Sequence, residues 1–257
     1  MLDIKNPKAA IPIVLLAGIF WSFGPYVVRH IDQPQLVTWQ YLFTRGLVIF
    51  ILLNVYLYLD EGLKFYKNYL KIGISGILGG AGLATAMITF IWSISNTSAA
   101  VTLLCLAAMP FITALLGFMF LKEKISLTVW ISIFVATFGI VVMAFGNAEK
   151  NTLSGLIFGL ASALGFSIFS VTLRWKKNTP KFTTVALSGL FCCVFSTILI
   201  LINDLNFLST NKNEALFATH GTLVCMGLIL YSIGSRNIPA TDLTLLSLTE
   251  VIGGIFW

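Results

Sequence analysis

Long apolar stretches recur from one end of the chain to the other, and this repetition constrains the fold more than any other feature. Unbroken apolar runs occupy residues 11–29, 37–58, 70–92, 99–121, 127–146, 153–174, 183–203, 217–235 and 240–257. A hydrocarbon core about 30 Å thick is crossed by about 20 apolar residues in α-helical form. Backbone groups in lipid must be satisfied within the spanning structure, which leaves helices or closed barrels. Barrel strands alternate apolar and polar residues over about ten positions, whereas these runs are continuous and roughly twice that long. About nine transmembrane helices are therefore expected, in an all-α integral membrane protein. Charged residues make up only 10% of the chain and hydrophobic residues 58%. A soluble domain carries about 25% charged residues, so lipid must solvate much of this surface.

The formal net charge of +6 does not mark a nucleic-acid partner, because no basic stripe runs along one element. The cations sit instead in short loops, where they set orientation. With the N-terminus inside, the inner loops hold twelve Lys and Arg (Lys5, Lys8, Lys64, Lys67, Lys71, Lys122, Lys124, Arg174, Lys176, Lys177, Lys181 and Arg236). The outer loops hold three, Arg29, Lys150 and Lys212. A multi-pass protein of the inner (plasma) membrane with a cytoplasmic N-terminus is expected. Lys5 and Lys8 ahead of an apolar run resemble the start of a signal peptide, but the run is long enough to span and no small-residue cleavage site follows. Pro34, Pro180 and Pro239 fall in the junctions between runs, where a missing N–H costs little.

Cys105, Cys192, Cys193 and Cys225 all lie inside apolar runs, with no CxxC or Cys/His spacing of a metal site. His30 and His220 stand alone and read as interfacial residues near outer helix ends. No metal, cofactor or catalytic group is implied.

A shift of 141 positions lays the sixth to ninth runs over the first to fourth. Gly18 then falls on Gly159, Gly24 on Gly165, Gly80 on Gly221, Asn96 on Asn237 and Phe90 on Tyr231. The first unit is 1–147 and the second 148–257. An odd number of helices per unit inverts the second relative to the first, the architecture of many secondary transporters, whose site lies near mid-membrane between the units. Two inverted five-helix units require ten helices. The second unit lacks one, so the sequence predicts a chain cut short after Trp257. Gly76 and Gly80 form a GxxxG pair, which reads as close helix packing or as a flexing point.

Several short motifs carry a family resemblance over essentially the whole chain. They are Trp21-Ser22-Phe23-Gly24, Arg45, Thr102-Leu103-Leu104 with Pro110, Phe120-Leu121-Lys122-Glu123, and Leu245-Leu246-Ser247-Leu248-Thr249-Glu250-Val251. In this order they resemble the EamA-like family of the drug/metabolite transporter superfamily. The resemblance departs at Val251, where a proline is expected, and at Ser162, which lacks the aromatic ring of Trp21. It implies ten helices in two inverted units, a cavity between them, no ATPase, and export of small metabolites, amino acids and related compounds among them.

Arg45 and Glu250 are the charges that lie deep within apolar runs. Ionisable groups in a membrane are expensive and point to function by default. Arg45 is about eight residues from a helix end, roughly 12 Å deep at 1.5 Å per residue. Glu250 and Trp21 fall at similar depth, Tyr41 is one turn before Arg45, and Tyr231 offers a second aromatic wall. The expected substrate-binding set is thus Trp21, Tyr41, Arg45, Tyr231 and Glu250. A guanidinium grips a carboxylate in bidentate fashion, and a desolvated glutamate can carry a proton, so proton coupling is assigned to Glu250. Two structural readings stand beside this one: Arg45 and Glu250 neutralise each other between the units, and Trp21 only packs. The rival functional reading, a membrane-embedded enzyme, rests on Gly73-Ile74-Ser75-Gly76. It fails on spacing, because Ser75 and the two histidines fall near opposite membrane faces and a nucleophile needs a base within hydrogen-bond reach. A non-transporting scaffold would need soluble segments longer than the 203–216 loop. The partners expected are the lipid bilayer and a small-molecule substrate.

Overall fold

The computed structural model describes residues 7–123, 153–176, 179–236 and 238–256, with isolated positions between 127 and 138. Every regular element among the described residues is helical. The first apolar run forms α1 (Pro7–Ser22) and α2 (Gly24–His30), separated at Phe23 where Pro25 withholds an N–H. The second forms α3 (Thr38–Glu61), which ends at Gly62 with a φ of 62° and passes through a 3₁₀ turn into α4 (Tyr66–Leu70). The third forms α5 (Gly73–Asn96), starting three residues later than expected. The fourth is broken into α6 (Ala99–Leu106) and α7 (Met109–Leu116), which continues as a π turn over Gly117–Leu121. The fifth expected helix, 127–146, falls largely outside the described residues.

Beyond it come α8 (Leu153–Trp175), α9 (Lys181–Ile202) and α10 (Asn211–Gly234). The ninth run is again two short helices, α11 (Ala240–Ser247) and α12 (Thr249–Phe256). Seven helical spans among the described residues are long and apolar enough to cross a membrane. Large apolar side chains such as Leu59, Leu78, Phe118, Ile157 and Leu201 stand exposed on the outside, as a lipid-solvated surface requires.

Helix α10 begins six residues before the eighth apolar run. Thr210 is the reason, because its side chain accepts the Asn213 N–H and caps the orphan donors of the first turn. The polar stretch Asn211-Lys212-Asn213-Glu214 is therefore helix, where the sequence suggested loop.

The two halves interleave. Helix α5 packs along α8, α3 along α9, and α1 along α10, while α12 lies against α1 and α6. Glycines set the closest crossings. A Cβ on Gly165 would lie 2.5 Å from the Gly82 carbonyl oxygen, and one on Gly189 would lie 2.7 Å from that of Gly46. A Cβ on Gly80 would meet Thr184 O on α9 at 3.2 Å, and one on Gly221 would meet Arg45 O on α3 at the same distance. Of the two readings of the GxxxG pair, close packing is the one that Gly80 displays.

Candidate functional site

The break between α11 and α12 positions the site. Thr244, Ser247 and Thr249 each donate a side-chain hydrogen bond to a carbonyl three residues back, at 2.9, 2.9 and 3.0 Å. Hydroxyls that bond their own helix in this way bend it. Leu248 N then closes a three-residue turn on Leu245 O at 3.2 Å. Glu250, two residues on, faces a cavity that Arg45 reaches from α3, Trp21 from α1, Ser162 and Phe166 from α8, and His220 from α10. The space is small, about 60 Å³, against roughly 300 Å³ or more for a ligand pocket.

Arg45 stands about two turns into α3 and is 5% exposed. Its Nε and Nη1 are buried and have no hydrogen-bond partner. The direct ion pairs among the described residues are Arg174–Glu123 and Lys212–Asp32. Arg45 and Glu250 line one cavity without joining in a salt bridge. A guanidinium stays charged inside a protein, and an uncompensated buried charge costs several kcal/mol. An anion entering the cavity would relieve that cost and take up the idle donors in a charge-assisted pair.

Trp21 packs and faces the cavity at once. Its Nε1 donates to Val224 O at 3.3 Å. The indole lies in a slot on α10 that a Cβ on Gly227 would fill. Phe166 meets it edge-on at 5.4 Å and Tyr231 at 5.5 Å. Tyr231 is fully buried, shares a hydrogen bond of 2.7 Å with Ser170 and stacks on Phe169. It stands one layer behind the wall formed by Trp21 and Phe166. Tyr41 is also one layer back: it stacks on Phe217 at 4.7 Å, and its hydroxyl is hydrogen-bonded to His220 Nδ1. Of the five residues expected to form the site, the structure brings Trp21, Arg45 and Glu250 to the cavity and sets Tyr41 and Tyr231 behind it.

His220 corrects the sequence reading. It was expected at an outer helix end, yet it is 1% exposed and lines the cavity. The early start of α10 explains this, since Thr210 caps the helix about two and a half turns before His220. The Thr210-x-x-Asn213 spacing was the signal that could have located it. Phe166 carried no comparable signal, being one of 21 phenylalanines. Ser75, the hydroxyl of the glycine–serine–glycine stretch, is hydrogen-bonded to Thr179 Oγ1 at 2.5 Å, away from any imidazole.

A second polar cluster ties the halves together at one end of the molecule. Glu123 accepts from Arg174 Nε at 2.9 Å and from the Ala240 N–H at 3.3 Å, capping α11 from outside.

Comparison with known proteins agrees with this architecture. The chain is similar to an uncharacterized transporter of Helicobacter pylori (strain J99 / ATCC 700824), 24% identical over 256 residues, which cover 96% of this chain and 84% of the relative. It is also similar to Protein RarD of Escherichia coli (strain K12), 22% identical over 169 residues, covering 62% of this chain and 55% of RarD. A solved structure described only as the crystal structure of a protein superposes with a TM-score of 0.72 at 16% identity, covering 97% of this chain and 86% of that one. Such a likeness speaks to fold alone. The EamA-like transporter family model matches residues 8–145, more than half the chain, and the protein belongs to the EamA-like transporter family.

Proposed function

We propose that the protein is a secondary transporter that exports small metabolites, amino acids or related compounds, across the cytoplasmic membrane by alternating access. In this reading the N-terminus is cytoplasmic, no enzymatic step takes place, and the anionic group of the cargo docks on Arg45. The observation that carries it is the buried, unpartnered guanidinium of Arg45 in a cavity between the two halves of a transporter-family fold.

Two inverted five-helix units underlie the mechanism. Support comes from the helix breaks and the packing. Helices α6 and α11 begin at Ala99 and Ala240, 141 residues apart, and each is 8 residues long. Exchanging the units maps the α1–α10 contact onto α8–α5 and returns α3–α9 to itself, and all three pairs are in contact. The cavity is too small for a whole ligand, so cargo enters when the units part. Trp21 and Phe166 then form apolar walls. Tyr41 and Tyr231 act through their neighbours, positioning His220 and the Trp21 indole. Glu250 faces Arg45 across the cavity and carries the coupling proton.

The test is a metabolite profile of the medium around cells that overexpress the protein, set against Arg45→Ala at matched membrane levels. Small anionic or zwitterionic compounds enriched with the unmutated chain alone are the expected result. Equal profiles for the two proteins would remove Arg45 from transport and with it this reading.

A further inference from the structure

A second cavity, separate from the first, opens where the ends of α3, α8 and α9 meet the α10–α11 connection. Its volume is about 830 Å³, large enough for a whole ligand. Four cations line it, Lys71, Arg174, Lys181 and Arg236, and Glu61 is the one carboxylate among its lining residues. Glu61 is engaged by Asn68 Nδ2 at 2.7 Å.

The cations converge from different elements on the backbone around Ser235. Arg174 Nη1 donates to Ile238 O at 2.7 Å and reaches Ser235 O at 3.4 Å, and Lys181 Nζ donates to Ser235 Oγ at 2.7 Å. Arg174 and Arg236 both lie near enough to repel the Lys181 ammonium. Membrane orientation alone explains an excess of cations in loops on one side. Glu123 offsets Arg174 from outside the cavity, yet the lining still carries more cations than carboxylates, drawn from three elements onto one concave space where like charges oppose one another. A multiply charged anion offsets that repulsion, as arginine and lysine clusters do for phosphoryl groups. The chain between the lining residues Glu61 and Lys71 exposes the apolar side chains Leu63, Tyr66 and Leu70, which suit the boundary between headgroups and acyl chains.

We propose that this cavity binds a phosphate-type anion, supplied by a soluble phosphorylated molecule or by the headgroup of an anionic lipid. The site rests on its own charge cluster and stands whether or not Arg45 binds cargo.

The experiment uses the full-length chain, purified in neutral detergent. Potassium phosphate is titrated against potassium chloride at matched ionic strength, and phosphatidylglycerol vesicles against phosphatidylcholine vesicles, with thermal unfolding and binding as readouts. Phosphate or phosphatidylglycerol should bind and raise the unfolding midpoint over its control. Lys181→Gln should weaken that binding at least tenfold, the loss of about one charge-assisted hydrogen bond. Exposed Lys71→Gln, a substitution that spares the folded core, should weaken it in the same direction, while Lys212→Gln in the first turn of α10, outside the cavity, leaves it unchanged. Phosphate binding that phosphatidylglycerol displaces marks a site open to both sources, whereas binding of phosphatidylglycerol alone assigns the lipid headgroup. Two results would overturn the proposal: neither probe binding the unmutated chain beyond its control, or Lys71→Gln and Lys181→Gln binding as tightly as the unmutated protein.

Discussion

The α5–α8 seam and the central cavity both lie between the two halves of the chain, and Ala86 belongs to each. Their construction is opposite. In the seam, Gly82 and Gly165 let two helix backbones approach until a single added Cβ would reach within 2.5 Å of a carbonyl oxygen. The polar groups there are satisfied, as where Ser162 Oγ donates to Ala86 O at 3.0 Å and Ser93 Oγ donates to Gly155 O at 2.8 Å. In the cavity, a few side chains away, Arg45 leaves two donors idle. Tight packing of small residues is how helices associate where lipid removes the hydrophobic drive. A buried guanidinium with idle donors has no such packing use, and in a membrane it is a functional-site candidate by default. The seam holds the halves together, and the cavity is what they are held together around.

The largest effect should come from breaking the seam. Gly165→Leu forces a side chain onto the backbone of α5, and overpacking of this kind costs about 1–3 kcal/mol or more. Loss of a monodisperse peak in size-exclusion chromatography of the detergent-solubilised protein is expected. Gly221→Leu, against Arg45 O and Val48, should act in the same direction.

Next comes Arg45→Gln, for which stability and transport should move apart. Gln keeps hydrogen-bonding groups at this position and removes a guanidinium whose burial is costly, so the unfolding midpoint should be held. Transport should fall roughly 10- to 100-fold with the loss of a charge-assisted hydrogen bond of about 1.5–3 kcal/mol. A fall in both would place Arg45 with the seam and erase the contrast. Glu250→Gln refines the account further. A proton carrier gives transport that varies with external pH, and the amide should flatten that profile while cargo binding persists. Unaltered pH dependence would remove Glu250 from coupling.

The smallest effect lies at the end of the molecule. The Glu123–Arg174 pair is partly exposed, with side chains 21% and 27% accessible. Glu123→Gln should cost about 1 kcal/mol or less, read as a drop of a few degrees in the unfolding midpoint.

What the sequence displayed follows from which costs are large. Apolar runs long enough to cross a bilayer have few alternatives to helix, so among the described residues the spans were legible to within a few residues, apart from the start of α10. There the Thr210 cap outweighed the polar composition of the first turn. Trp21, Arg45 and Glu250 could be found because a charge or an indole inside such a run is conspicuous. The break before α12 could not. Pro110 advertises the break before α7, but the break before α12 is accompanied only by hydroxyls bonding their own helix, as they also do in unbroken helices. His220 and Phe166 became cavity residues only through helix register and packing, which composition does not encode.

The central claim is that Arg45 holds the anionic group of the cargo. Its most direct test is the dissociation constant of the purified protein for the compound named by metabolite profiling, compared between the unmutated chain and Arg45→Gln by equilibrium titration at matched fold and ionic strength. The account predicts binding at least tenfold weaker in the variant, with an unfolding midpoint no lower than that of the parent. Equal affinity in a correctly folded variant would contradict it.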